Sequence, residues 1–475
     1  MVKEYQSLIG GEWRSTSESY ELKNPYNQET IGIVSRPGGD EALEAVERAH
    51  RAFPATRALP SWKRAEILQA ISEGIKARHE ELSRTIALEA GKPIKQARGE
   101  VGRAANTFWV AMEEAKRIDG ELMSLDWVEG HENRIGLVRR FPVGPILGIS
   151  PFNFPLNLVA HKVAPAIAVG APLIMKPATQ TPLSSLKLGE IVLEAGWPPE
   201  AFSVLPCSGP VAEGILQDDR IKKLTFTGSP EVGWHLKGLV PKKRVTLELG
   251  GNAGVVAHSD IDIPFVAKRC RLGSFAYGGQ ICISVQRMFI HEPIYDEFMN
   301  VFLDEVAQIV VGDPLEESTE MGPLIDIQAA ARIEEWVVEA VDGGASVVTG
   351  GKRQGTMMEP TVLEGVKPDM RVSCLEAFGP VVTVEPYSDF MEAIGAVNDS
   401  IYGLQAGIFT NDLTAVHRAY ETLEVGGIIV NDIPTYRVDH MPYGGVKESG
   451  FGREGLKYAI KEMTEMRLMV LNLTP

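Results

Sequence analysis

The sequence predicts an α/β protein with two open, mostly parallel sheets and a small β arm, and three features of the 475-residue chain predict it. From about residue 144, short apolar runs alternate with amphipathic stretches, the pattern of strands wound with helices around a parallel sheet. A second series of the same kind begins after Gly251 and runs to about Asn431. Two further stretches, Arg134 to Phe141 and Met466 to Leu473, stand outside both series and read as edge strands, which invite pairing between subunits. A chain of this length exceeds one ordinary core, so two or three domains are expected.

The N-terminal third reads mostly as helix, for example Glu41 to Ala52 and Ser61 to Ala90. In the first series Pro145 to Ser150 reads as a strand, Pro155 to Val169 as a helix and Pro172 to Lys176 as the next strand. Pro182 to Ala195 is helical, with apolar Leu183, Leu186, Leu188, Ile191 and Leu193 and a stop at Gly196. Phe202 to Leu205, Lys222 to Phe226 and Arg244 to Leu249 add strands, giving a sheet of the nucleotide-binding kind. The second series holds strand Val255 to Ala257, helix Phe265 to Phe275, strand Arg287 to His291 and the long helix Ile327 to Val341.

A net charge of −16 argues against nucleic acid as a partner, although an acidic mean can still hide a basic pocket for a phosphorylated cofactor. The first ten residues hold no apolar run of signal-peptide length. The most apolar stretch, Leu158 to Met175, is broken by His161, Lys162, Pro165, Gly170 and Pro172, so no membrane span is expected. Cys207, Cys270, Cys282 and Cys374 show no CxxC spacing, which fits reduced thiols in a cytoplasm. With no HExxH and no Cys/His cluster, no protein-bound metal is expected.

Cys282 ends the run Phe275-Ala-Tyr-Gly-Gly-Gln-Ile-Cys282, where its sulfur can be exposed, whereas Cys270 and Cys207 read as structural and Cys374 lies close to Glu376. A thiolate there is a nucleophile, and Glu248 in Leu247-Glu248-Leu-Gly-Gly-Asn252 is a base for water. The alternatives are a small buried hydrophobe and a solvated strand-end charge. Asn153, leaving the first strand, is either an oxyanion donor or a helix cap. Lys176, at the end of the next strand, reaches a ribose or phosphate or decorates the surface. The turn Phe226-Thr-Gly228-Ser229 offers backbone N–H groups and a hydroxyl to a pyrophosphate, or serves as a purely structural turn.

With Glu376-Ala-Phe378-Gly-Pro380 and Pro442-Tyr-Gly-Gly-Val-Lys-Glu-Ser-Gly-Phe451-Gly, these segments occur in an order that resembles the aldehyde dehydrogenase superfamily along nearly the whole chain. The resemblance implies an aldehyde dehydrogenase-like fold of two Rossmann-type open-sheet domains plus a β oligomerisation arm. Residues 1–123 and 144–250 would bind NADP or NAD, 251–455 would form the catalytic domain, and 124–143 with 456–475 would form the arm of a homodimer or homotetramer. It implies Cys282 as nucleophile, Glu248 as general base, and Asn153 with the Cys282 N–H as oxyanion hole. Cofactor contacts would come from Ser150, Phe152, Lys176, Thr179, Gly228, Ser229, Leu249, Glu376 and Phe378.

Within that family the chain looks most like the lactaldehyde dehydrogenase-like branch, on the loop Pro434-Thr-Tyr-Arg437-Val-Asp-His440-Met-Pro-Tyr443 and on His161-Lys162. His161, Arg437 and His440 would then line a pocket for a small polar or anionic aldehyde, the alternative for Arg437 being a structural salt bridge. Relatives acting on phosphorylated aldehydes often carry Arg immediately before the nucleophile, and Ile281 stands there. A hydroxyaldehyde or semialdehyde is therefore expected in preference to glyceraldehyde 3-phosphate. Thr179 in place of a carboxylate at the ribose position implies that NADP is accepted at least comparably with NAD. The rival readings are a CoA-acylating aldehyde dehydrogenase, against which Glu248 speaks, a non-phosphorylating glyceraldehyde-3-phosphate dehydrogenase, a thiol esterase and a catalytically idle relative.

Overall fold

The computed structural model describes residues 2–473. Its first sheet has eight strands in the order Gly450–Phe451, Arg244–Glu248, Lys223–Thr227, Ile146–Ile149, Leu173–Lys176, Phe202–Val204, Ser7–Ile9 and Glu12–Arg14. The five central strands are parallel, and the outer ones pair antiparallel. From Ile146–Ile149 the chain winds first to Leu173–Lys176 and Phe202–Val204, then crosses back to Lys223–Thr227 on the other side. That reversal opens a crevice beyond the carboxyl ends of the strands, where ligands bind in open α/β sheets.

The second sheet runs Ser346–Thr349, Thr361–Glu364, Val381–Tyr387, Val285–His291, Ala253–Ala257, Gln405–Phe409 and Gly427–Val430. Only the Ser346–Thr349 edge is antiparallel. Strand Thr464–Asn472 pairs with Arg134–Pro142, which pairs with Glu121–Ser124, making a three-stranded antiparallel sheet. Along Thr464–Asn472 every residue after Thr464 is exposed, including Met466, Leu468 and Val470.

Helix Asn157–Val169 is buried on every side. A helix apolar almost all round belongs in a core, so its three polar exceptions, Asn157, His161 and Lys162, need buried partners. It packs on helix Ile94–Ala115 and against the first sheet.

Two expectations differ from the structure. The helix read as Ser61 to Ala90 is two helices, Ser61–Ala77 and His79–Ala90, broken at Arg78 (φ −102°, ψ 23°). Glu80 and Glu81 then occupy a new first turn, where the helix dipole favours acids, and Arg78 pairs with Glu81 and Glu190. Residues 2–36 are short strands and turns, two of the strands extending the first sheet. No helix among the described residues is long and apolar enough to cross a membrane.

Candidate active site

Cys282 follows a tight turn, Ala276–Gly279, and precedes strand Val285–His291. Within that turn Gly279 has φ +68°, and a Cβ there would lie 2.1 Å from the Gly379 carbonyl oxygen, so only glycine fits. The backbone of Gly251, just past the strand that ends in Glu248, approaches Cys282 as closely: an added Cβ would sit 2.1 Å from the Cys282 carbonyl oxygen. The Leu-Gly-Gly run thus brings the carboxylate strand against the cysteine loop.

The crevice between the sheets forms a cavity of about 400 Å³ whose walls include Asn153, Glu248 and Cys282. Phe152, Gly228, Ser229, Leu249, Glu376, Phe378 and Arg437 line it as well. Asn153 Nδ2 donates to the Gln280 carbonyl at 2.9 Å, and its Oδ1 has no partner. Cys282 Sγ lies 3.2 Å from the Tyr443 hydroxyl. Both carboxylate oxygens of Glu248 are buried without a hydrogen-bond partner, an arrangement that leaves them free for a water or substrate.

Burial sets the protonation states. It pushes the Cys282 thiol up to about 12, against the lowering by the Tyr443 hydrogen bond and with added repulsion from Glu376. Burial and the Glu454 charge raise Glu248 well above the carboxylate range, although Arg437 and Lys162 oppose them. Glu454 goes the other way: burial works against its ionisation, but Lys162, His161 and Arg437 outweigh it. The two carboxyls are thus driven apart, Glu454 toward the ionised form and Glu248 toward the neutral one.

On the cofactor side the Phe152 and Phe378 rings meet edge to face at 5.7 Å. Glu376 Oε1 accepts from the Gly251 N–H at 2.9 Å, and burial lifts its pKa to about 7 against that bond and Arg332. Its loop is clamped by Asn252 and Gln286, whose amides donate to the Ser373, Val372 and Leu375 carbonyls. Ser229 caps helix Pro230–Leu239 at the cavity wall, so that helix's free N–H groups face the crevice. The Ser150 hydroxyl, Lys176 and Thr179 lie outside the cavity wall. Ser150 Oγ is buried and unpartnered, Lys176 Nζ reaches only the Pro177 carbonyl (3.1 Å), and the Thr179 carbonyl accepts from the Tyr20 hydroxyl (3.0 Å). A lysine without a carboxylate partner and an orphaned hydroxyl suit the phosphate-bearing end of a dinucleotide.

The three residues expected to meet substrate separate. Arg437 lines the cavity, its guanidinium 3.6 Å above the Tyr443 ring and its Nη2 3.2 Å from Glu454. His161 is buried behind that wall, bonded to Asp439 at 3.0 Å. His440 is exposed and does not line the cavity, because the turn after Arg437 sends Asp439 inward and its neighbour outward. Sequence reasoning missed Arg103, from helix Ile94–Ala115, and Tyr443 as cavity residues. It also missed Lys92 and Glu100, a buried pair that holds the Asn153 loop. Among the described residues no set of three or more His, Cys, Asp or Glu is placed to hold a metal ion.

The chain matches the model of the aldehyde dehydrogenase family over residues 13–469. The chain belongs to this family. It is 45% identical to a 3-sulfolactaldehyde dehydrogenase of Priestia aryabhattai over 473 residues, covering 99% of each chain. Its fold superposes with a TM-score of 0.98 on aldehyde dehydrogenase 21 of Physcomitrella patens in complex with its product succinate, at 44% identity over 100% of this chain and 99% of that one. An NADP-dependent glyceraldehyde-3-phosphate dehydrogenase from Bacillus halodurans, complexed with NADP, superposes with a TM-score of 0.96 at 35% identity, covering 99% of this chain and 100% of the other. Membership of the family makes the chain an aldehyde dehydrogenase, and the Priestia relative places it in the lactaldehyde dehydrogenase-like branch.

Proposed function

We propose that the protein oxidises a short aldehyde with an anionic far end to its carboxylic acid, with NADP or NAD as hydride acceptor and Cys282 as nucleophile. The observation that carries this reading is the pair of arginines, Arg103 and Arg437, in the wall of the cavity that holds Cys282. Arg103 and Arg437 bond the protein through Nη2, to Asp439 and to Glu454 and His161, so each guanidinium keeps further N–H groups to offer a carboxylate or sulfonate on the substrate. A semialdehyde such as the precursor of succinate, or a sulfonated lactaldehyde, has this form. Ile281 keeps the position before the nucleophile apolar, which disfavours a phosphorylated aldehyde.

In this reading Cys282, as thiolate, adds to the aldehyde carbon, and the Asn153 amide and the Cys282 N–H stabilise the oxyanion of the thiohemiacetal. The nicotinamide cofactor supplies the hydride acceptor when bound. Glu248, once ionised, takes a proton from the water that attacks the thioester, and the acid leaves as Cys282 regains its proton. Glu376, Phe152 and Phe378 fit the ring and ribose end, and Lys176, Thr179, Ser150 and Ser229 the adenosine and phosphate end. The exposed apolar strand Thr464–Asn472 supports an arm that pairs subunits of a cytoplasmic homodimer or homotetramer.

Steady-state constants for succinic semialdehyde, lactaldehyde, butanal and glyceraldehyde 3-phosphate, each with NADP and with NAD, test the reading. Succinic semialdehyde should exceed butanal in kcat/KM by about ten- to a hundredfold, the worth of one charged hydrogen bond. In rapid mixing, Glu248→Gln should give a burst of reduced cofactor followed by slow turnover, with acyl-enzyme accumulating. Equal rates for butanal and the semialdehyde overturn the substrate class, and turnover that requires CoA overturns the hydrolytic step.

A further inference from the structure

Arg103 and Arg437 enter the cavity from distant parts of the chain, yet two side chains that do not line it join them from behind. Asp439 Oδ1 accepts from Arg103 Nη2 at 3.0 Å and from His161 Nε2 at 3.0 Å. Bonding to a carboxylate puts the imidazole proton on Nε2, so Nδ1 is the acceptor that faces Arg437 Nη2, at 3.5 Å, the long limit of a hydrogen bond. Asn106 Nδ2 and the Leu456 N–H hold Asp439 from its other sides, at 3.4 and 3.3 Å. His161 and Asp439 are 2% and 3% exposed, so neither is in place to touch a molecule in the cavity.

We propose that His161 and Asp439 are positioning residues that bracket Arg103 and Arg437 into one two-guanidinium receptor for the anionic end of the aldehyde. The inference rests on the substrate class proposed above. An arginine side chain has a large rotamer entropy, and fixing two of them before binding removes that cost from the binding step. Arg103 is the one that needs fixing most, since its side chain is 34% exposed. The bracket works only with a neutral imidazole, because a protonated ring would turn an N–H toward Arg437. Burial and the Arg437 charge lower the His161 pKa, while Asp439 and Glu454, the carboxylates facing it, pull the other way and lose. The neutral ring therefore persists below the ordinary imidazole range.

The test compares His161→Phe, which keeps a flat ring without nitrogen, with His161→Gln, whose amide can donate to Asp439 and accept from Arg437. His161→Phe should raise the KM for succinic semialdehyde, and the Kd of succinate measured by calorimetry, by about tenfold or more. The KM for butanal and both kcat values should stay within about threefold, the signature of lost binding and not of lost chemistry. His161→Gln should recover most of the loss. Asp439→Asn, which removes the charge facing Arg103 but keeps the size, is the second variant should the phenylalanine protein fail to fold, and the same split is expected. In wild type the KM ratio of the two aldehydes should stay flat from about pH 8 down through about 6.5, the ordinary histidine value. A KM that rises equally for both aldehydes, a glutamine no better than phenylalanine, or a ratio that climbs already above that pH overturns the bracket. A wild type indifferent to the anionic end overturns the substrate class first and the bracket with it, whereas a wild type that prefers succinic semialdehyde with an unaffected His161→Phe overturns the bracket alone.

Discussion

Replacing Lys92 with methionine should show how much of the oxyanion site depends on one buried ion pair. Lys92 and Glu100 are 1% and 0% exposed and bonded to each other. Lys92 Nζ also donates to the Asn153 carbonyl at 2.6 Å and sits 3.7 Å from the centre of the Phe154 ring. Glu100 Oε1 accepts from the Leu156 and Asn157 N–H groups at 2.9 and 3.2 Å, so the pair grips both ends of the segment that carries the Asn153 amide. Removing one partner of a buried pair strands the other charge and costs about 3–5 kcal/mol. The two N–H bonds that Glu100 keeps place Lys92→Met toward the lower end. Adding Glu100→Gln removes the stranded charge while leaving an acceptor for those N–H groups, and should return more than half of the loss. Turnover should fall about ten- to a hundredfold, less than deleting an oxyanion donor outright, because Asn153 stays but its loop loosens. The assay is the half-life of activity at a fixed elevated temperature, which is well defined for a large protein that unfolds irreversibly, together with kcat on a saturating aldehyde. A single variant as long-lived and as active as wild type, or a double variant worse than the single, refutes the reasoning.

How far the site was legible depends on how its residues are spread along the chain. Cys282, Glu248 and Asn153 each lie within a few residues of glycines or prolines that shape their loops, and those local runs can be read directly. Arg103 and Tyr443 join Cys282 in the wall of one cavity only across the fold, and nothing near Arg103 distinguishes it from other helical arginines. Lys92 and Glu100 are likewise invisible: eight positions apart with Pro93 between them, they look like two surface charges. His161 could be flagged, because it interrupts an otherwise apolar helix, but the helix turned it toward Asp439 and away from the cavity. His440 shows the limit most plainly, since one residue of turn geometry decides that Asp439 is buried and its neighbour exposed. In the fold, both parallel sheets were readable from alternation, whereas strands of two and three residues such as Glu4–Tyr5 and Glu12–Arg14 are too short to carry a period. The break at Arg78 did leave a trace, Lys76 and Arg78 ending one helix and Glu80 and Glu81 opening the next.

Two more outcomes follow from the protonation and cofactor sites. With its pKa pushed up to about 12 by burial, the Cys282 thiol of the cofactor-free enzyme should react with iodoacetamide slowly, about tenfold faster per pH unit from pH 7 to 10. Tyr443→Phe, which deletes the hydrogen bond that favours the thiolate, should slow labelling further, and labelling that levels off near pH 8.5 would show an unperturbed thiol. At the proposed adenosine end, Lys176 has no carboxylate partner and half-buried Thr179 follows three positions later, so in that reading a 2′-phosphate would meet a cation and no opposing charge. Thr179→Glu puts a carboxylate there. Two like charges about 4 Å apart repel by about 4 kcal/mol at an effective dielectric near 20, and solvent and salt reduce this to a loss of about ten- to a hundredfold in NADP affinity. NAD has no 2′-phosphate and gains an acceptor for its ribose hydroxyls, so its affinity should hold or improve. Fluorescence titration of both cofactors on both proteins decides the matter: a wild type that fails to bind NADP, or a variant with an unchanged NADP-to-NAD ratio, removes Lys176 and Thr179 from cofactor choice.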